Sequence, residues 1–445
     1  MYLVVHGNHG QTPDVQDFID LINNPSSPAR ELFSSKADLI VTRAPGRLDV
    51  MGGIADYSGS HVLEFPIAEA TFAAVQLNAE RQLNIITLLD DETRYSSFTM
   101  PLSALDDAVE YEVARKFFQR NTGSHWAAYV AGVFLVLMRE RNVTFASGAN
   151  ILISSRVPLG KGVSSSAALE VAVMEAVTKA FDITVEGRDK ALLSQLLENL
   201  VVGAPCGVMD QMTAVFGERD RLLLLLCQPA EIKRMITLPR QLMLWGIDSG
   251  IRHSVGGADY GSVRTGTFVG LRIINEIRAQ ADHPAIEYLA NLTPTEFKSE
   301  YLDRLPDTFR IPAAHPIYEN ARVQRFVQLL DQCETSDNPE SYFHELGELM
   351  YESHDSYTAL GLNSSGTDAI VELVRSEGPD AGLFGAKITG GGSGGTVAVL
   401  GDQSSRAAIE RVVASYAKET GYPPRIFHGS SSGSLAFDYL RLRET

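Results

Sequence analysis

The chain has 445 residues, of which 44% are hydrophobic and 21% charged, and its formal net charge is −17. That length exceeds one ordinary core and points to two domains. The acidic balance excludes nucleic acid or an anionic membrane as the main partner, and three scattered cysteines, Cys206, Cys227 and Cys333, make neither a disulfide framework nor a metal-ligand cluster.

Reduced thiols fit a cytoplasmic protein. The opening MYLVVHGNHGQTPDVQDF has no basic flank and no long apolar core, so it does not read as a signal peptide, and no segment is long enough to span a bilayer. In chain order, Asp14 to Asn23 reads as a helix, Leu39 to Thr42 as a short strand, and Val62 to Leu77 as strand segments broken by turns. Leu83 to Leu88 is a strand, and Trp126 to Arg139 is apolar at helical spacing. Asn150 to Ile153 is a strand and Ala167 to Phe181 a helix. Ala191 to Val202 is a further helix, and the unbroken apolar run Arg221 to Cys227 is a buried strand.

A junction is expected near LPRQ, dividing the chain into residues 1–238 and 239–445. Beyond it, Leu242 to Ile247 reads as a strand and Tyr260 to Ala279 as a long helix. The proline-bearing stretch His283 to Pro316 reads as a partly helical excursion. Helices follow at Val323 to Leu330, Tyr342 to Tyr351, Ile370 to Arg375 and Ser405 to Lys418, with strands at Thr396 to Leu400 and near Arg425. Mixed elements in both halves predict an α+β protein.

Three segments carry the chemistry. Val157 to Glu170, VPLGKGVSSSAALE, joins a strand to a helix. Its glycines let backbone approach a ligand, and its serines present hydroxyls and N–H groups at the positive end of a helix, which suits phosphate. It is not a P-loop, because Lys161 is followed by Gly162. The other two segments are Arg43 to Pro66, RAPGRLDVMGGIADYSGSHVLEFP, and Ala386 to Gly395, AKITGGGSGG, which runs into the apolar TVAVL.

Read together, this trio resembles the signature motifs of the GHMP kinases. PLGKGVSSSAALEVA and PCGVMDQ resemble the galactokinase branch, as do HWAAYVAGV, HSVGGADYGSVR and the ESH at Glu352 to His354. The resemblance implies a two-domain fold, with a ribosomal-protein-S5-like N-terminal part, a ferredoxin-like C-terminal part and the active site between them. It implies ATP as phosphate donor and Mg2+ as cofactor. The phosphate loop would be Gly160, Lys161, Gly162, Val163, Ser164, Ser165, Ser166 and Ala167. Trp126, Gly391 and Gly392 would complete the nucleotide site. Ser165 and Glu198 would hold magnesium, although Glu198 read alone is a solvated helix charge. Asp210 would be the catalytic base and Arg47 its charged neighbour; read alone, that pair is a structural salt bridge. Asp56, Gly53, Ile54, Gly207 and Tyr260 would face the sugar.

The chain departs from galactokinases in one place. Their Gly-Glu-His-Thr-Asp-Tyr run reads here Gly52-Gly53-Ile54-Ala55-Asp56-Tyr57. The two lost side chains face the C6 end of galactose in that family, so the resemblance implies a sugar without that hydroxyl group. An unpartnered buried hydroxyl costs about 1–3 kcal/mol. The segment is also similar to plant-type L-arabinokinases, which join this module to another domain; this chain would be the kinase module alone. The expectation is an ATP-dependent sugar 1-kinase acting on L-arabinose. A galactokinase and a catalytically silent sugar-binding regulator are the alternatives. The expected partners are a small sugar and ATP, with a monomer as the working expectation.

Overall fold

The computed structural model describes residues 1–7, 12–89, 94–120, 123–252 and 258–444. The HSVGG of the galactokinase-like segment, residues 253–257, lies outside them.

Two sheets organise the molecule. The first contains Tyr2–His6 (β1), Leu39–Met51 (β2), His61–Asn78 (β3), Gln82–Leu88 (β4), Tyr95–Pro101 (β5), Gly148–Ser155 (β6), Arg221–Leu226 (β7) and Glu231–Thr237 (β8). The second contains Leu242–Asp248 (β9), Leu383–Ile388 (β10), Thr396–Asp402 (β11) and Ile426–His428 (β12), in the order β10-β11-β9-β12. The last strand, Leu440–Glu444 (β13), returns to the first sheet between β1 and β2. The first sheet therefore runs β1-β13-β2-β3-β6-β4-β5, with β7 and β8 branching from β3. A boundary at residue 238 separates β8 from β9, but β13 departs from that simple division.

β2 is far longer than its expected four-residue core. The strand runs on past Thr42 through Pro45 and Gly46, with a register shift between Pro45 and Arg47 against β3. A bulge of this kind re-aims side chains and is common beside active sites. β3 is likewise one strand rather than several. Residues 61–64 pair with β7 and residues 71–78 with β6, so Pro66 sits where the strand changes partners and no ladder donor is required of it.

The excursion before Pro316 ends in a continuous helix, Asp307–Thr335, that contains Pro312 and Pro316. A helical proline lacks the N–H that would serve the carbonyl four residues back. For Pro316 that carbonyl belongs to Pro312, and the Thr267 hydroxyl donates to it at 3.0 Å. Tertiary structure thus replaces the missing bond.

The helices Ala128–Arg141, Ser165–Ala180 and Gly187–Leu197 cover the first sheet through one apolar core that includes Val133, Val171 and Leu197. A second core joins both sheets. It unites Leu48 of β2 and Phe65 of β3 with Leu244 of β9, Ala398 of β11 and Phe326 and Leu346 of the C-terminal helices. The seam between the sheets is where the three motifs meet. Among the described residues, no helix is long and apolar enough to cross a membrane.

Candidate active site

Strand β6 ends at Ser155, and the next helix begins at Ser165. Between them Gly160 and Gly162 both stand at φ 69°, and Ser164 stands at φ 66°. The left-handed region is open to glycine but costs a serine about 1–2 kcal/mol. Ser164 precedes the helix, and its buried hydroxyl has no hydrogen-bond partner among the described residues. A strained residue with an idle hydroxyl at a helix N-terminus is a natural place for an anion.

The loop is clamped from both sheets. The Val163 carbonyl accepts from the Arg47 N–H at 3.2 Å, and the Gly162 carbonyl accepts from Arg47 Nη1 at 2.7 Å. The Lys161 carbonyl accepts from the Thr396 hydroxyl at 2.8 Å. Lys161 itself reaches the second sheet, where its ammonium lies 2.9 Å from Asp248 and 3.3 Å from the Tyr422 hydroxyl. It ties the loop down rather than lining the cavity. Val163 and Ala167 are buried beneath the loop and helix, and Gly392 packs on Leu362 and Tyr357.

The helix Met209–Phe216 carries Asp210 in its first turn. Arg47 is 3% exposed and meets Asp210 Oδ1 through Nε at 2.9 Å and Nη2 at 2.7 Å. Burial opposes the charge on Arg47, but Asp210, Glu64 and Asp49 outweigh it and hold the guanidinium above its ordinary range. Glu64 lies across the strands from Asp49. Its Oε2 is 3.2 Å from Arg47 Nε, yet neither Glu64 oxygen has a hydrogen-bond donor among the described residues. Burial, and then the Asp49 charge, push the Glu64 carboxyl well up, against the pull of Arg47.

A second acidic group lies near the loop. Gln211 Nε2 donates to Glu198 Oε2 at 2.8 Å and to Glu170 Oε2 at 3.2 Å. Burial pushes Glu198 up to about 7, while the Ser166 hydroxyl bonds to it and pulls the other way. Burial and Glu198 push Glu170 well up, and Glu170 Oε1 has no partner among the described residues. Ser165 and Ser166 both line the cavity with Glu198. Two buried carboxylates with spare oxygens beside serine hydroxyls are hard oxygen donors, which fit magnesium. The Cys206 thiol lies 3.3 Å from Glu198 Oε2, and burial with that neighbour pushes it well up, so it stays protonated.

On the other side, Asp56 is 3% exposed. Burial and the Asp210 charge push it up to about 8. Gly207 makes room for it, since a Cβ there would lie 1.7 Å from Asp56 Oδ2. Tyr260 and Ile54 are buried in one apolar cluster. Gly53, expected at the sugar, is instead turned toward Tyr357 and Asp49 and is not part of the cavity wall.

One cavity of about 340 Å³ gathers most of these residues: Arg47, Ile54, Asp56, Gly207, Asp210 and Tyr260 meet Gly160, Gly162, Ser164, Ser165, Ser166, Glu198, Gly391 and Trp126. Tyr129, Leu159, Leu169 and Met209 add apolar surface. Glu64, Glu170 and Gln211 had no assigned role in the sequence reading. All three stand inside the quoted motifs, but local spacing does not show which carboxylates meet in space.

Residues 128–218 match the model of the GHMP kinases N terminal domain and residues 339–419 that of the GHMP kinases C terminal. Residues 30–77 match the galactokinase galactose-binding signature. The L-arabinokinase of Arabidopsis thaliana is 43% identical across 93% of this chain; the chain spans about half of that relative, 47% of its length. The galactokinase of Mannheimia succiniciproducens is 30% identical, with 89% of this chain and 95% of that protein aligned. Among solved structures, Lactococcus lactis galactokinase complexed with galactose superposes with a TM-score of 0.76 at 22% identity, over 94% of this chain and 99% of that one. A mevalonate kinase gives 0.55 at 16% identity, over 88% and 99%. The chain belongs to the GHMP kinases, a family of ATP-dependent phosphotransferases, and within it to the sugar kinases of galactokinase and L-arabinokinase type. Its α+β architecture is the two-domain fold of that family.

Proposed function

We propose that the protein transfers the γ-phosphate of ATP to the anomeric hydroxyl of L-arabinose, giving β-L-arabinose 1-phosphate. The observation that carries this reading is Ile54, an apolar side chain 1% exposed, on the wall of the cavity that also holds Asp56 and Asp210. The 43% identity to an L-arabinokinase supports it.

In this reading Asp210 takes the proton of the anomeric hydroxyl as that oxygen bonds to the γ-phosphorus and the bond to the ADP oxygen breaks. Both Arg47 contacts fall on Asp210 Oδ1, so the other carboxylate oxygen receives the proton. Arg47 keeps Asp210 oriented and offsets charge on the transferring group. The glycine and serine loop cradles the phosphates, and Trp126 serves the nucleotide. Asp56 and Tyr260 orient the sugar, with Gly207 giving Asp56 its place. Ser165 and Glu198 would hold magnesium, with Ser166 and Glu170 adjacent; when bound, the ion neutralises charge on the phosphate oxygens. The two domains divide near residue 238, with β13 returning to the first, and the protein works in the cytoplasm.

A galactokinase is the second reading, supported by the galactose-binding signature at residues 30–77. The test is ADP release with L-arabinose, D-galactose, L-fucose, D-glucuronate and mevalonate. L-arabinose is expected to give the highest kcat/KM, the ratio that reports transition-state discrimination. A clear preference for galactose would refute the arabinose assignment and leave the kinase reading intact.

A further inference from the structure

The turn at Gly52, Gly53 and Ile54 hangs from distant residues. Gly52 N–H donates to Glu319 Oε1 at 3.2 Å, Gly53 N–H to Asp49 Oδ1 at 2.9 Å, and Ile54 N–H to the Tyr357 hydroxyl oxygen at 2.9 Å. That hydroxyl donates in turn to the Gly390 carbonyl at 2.8 Å. Gly390 opens the C-terminal glycine loop, and its neighbour Gly391 lines the cavity. Tyr357 is fully buried in the cluster that contains Ile54 and Tyr260, and the His315 ring meets it edge-on at 5.4 Å.

Gly53 has φ +46°, and a Cβ built on it would lie 1.8 Å from the Tyr357 hydroxyl oxygen and 3.0 Å from the ring carbon that bears it. Two non-bonded atoms cannot share that space. A side chain at position 53 and the hydroxyl of Tyr357 are therefore mutually exclusive. We infer that Tyr357 is a positioning residue for sugar selection. Its hydroxyl takes the space beside Gly53, fixes the Ile54 amide so that the Ile54 side chain forms the cavity wall, and couples that wall to the glycine loop. Tyr357 does not line the cavity, so it acts through Ile54. A tyrosine present only to fill the core would need its ring and not its hydroxyl.

This inference rests on the proposed sugar-kinase reading, and a double-mutant cycle separates the two. The full chain is compared as wild type, Gly53→Ala, Tyr357→Phe and the double variant. The readouts are kcat/KM for L-arabinose and D-galactose, KM for ATP and the thermal midpoint. Tyr357→Phe is expected to raise the KM for arabinose about tenfold, as loss of a buried hydrogen bond can, to change the KM for ATP less than about threefold, and to narrow the preference between the sugars. Gly53→Ala should lower kcat/KM at least about fivefold more in the wild-type background than in the Tyr357→Phe background, because the second lacks the oxygen at 1.8 Å while the milder contact with Asp49 Oδ2 at 2.9 Å is common to both. If Gly53→Ala fails to fold while the double variant folds, the midpoints show the same coupling. Effects on kcat/KM that simply add would overturn the inference. So would Tyr357→Phe with unchanged sugar KM and unchanged sugar ratio, which settles the matter even if neither position-53 variant folds. A wild-type preference for galactose would defeat the arabinose assignment alone, since the cycle can be read on either sugar.

Discussion

Two of the buried charges on strand β2, Arg47 and Asp49, are treated in opposite ways. Asp49 is closed. Its Oδ2 lies 2.5 Å from the Lys387 ammonium, both side chains being 0% exposed, and accepts from Gly390 N–H at 3.3 Å; its Oδ1 takes the Gly53 N–H. Arg47 is open. Its partner Asp210 has a side chain 21% exposed on the cavity, and its other neighbour, Glu64, has no hydrogen-bond donor for either oxygen among the described residues. Charges committed to holding the two sheets together are saturated. The charges at the cavity retain spare capacity, and the fold bears that desolvation cost.

The largest stability effect is expected at the closed pair. Lys387→Met leaves Asp49 buried without its cation, which should lower unfolding free energy by about 3–5 kcal/mol. Chemical denaturation checks this, and a loss under about 1 kcal/mol would mean that the pair is not what joins β2 to β10. At the open side, Glu198→Gln should leave the fold near wild type. It should raise the magnesium concentration needed for half-maximal activity by about tenfold, measured by titrating the ion at fixed ATP. An unchanged magnesium requirement would remove Glu198 from the metal site.

A smaller effect concerns pH. Asp56, facing Asp210, Arg47 and Asp49, is pushed up to about 8, first by burial. An unfolded aspartate titrates near about 3.9. Between those values the folded protein holds a proton that the unfolded chain has released, so this group makes stability fall as pH rises. Glu198, at about 7, acts in the same sense. The thermal midpoint of the ligand-free protein should therefore decline from about pH 5 to about pH 8, and Asp56→Asn should flatten that decline. Equal slopes in both proteins would show that Asp56 is ionised in the folded state across that range.

The open half of this comparison was more legible in the sequence than the closed half. The phosphate loop could be read because its glycines, its serines and the flanking strand and helix are contiguous. Asp210 and Arg47 could be paired only through the family resemblance, since 163 residues separate them. Asp49 and Lys387, 338 residues apart, carry no local signal at all. Pro45 and Gly46 concealed most of β2, because the partner strand and the bulge, not propensity, decide that segment. β8, EIKRMIT, was missed because its charged residues alternate too weakly with apolar ones. Gly53 was read as a change in the sugar pocket, whereas its surroundings are set by Tyr357, 304 positions away in the chain.

The central claim is that the open cluster is held for catalysis, and Asp210→Asn tests it most directly. The change preserves volume and removes the proton acceptor. Single-turnover phosphoryl transfer with saturating ATP and L-arabinose, paired with a nucleotide-binding titration, should show kcat lower by about a thousandfold and nucleotide affinity within about twofold of wild type. A kcat within about tenfold of wild type would contradict the account, and Asp210 with Arg47 would then be another structural pair like Asp49 with Lys387.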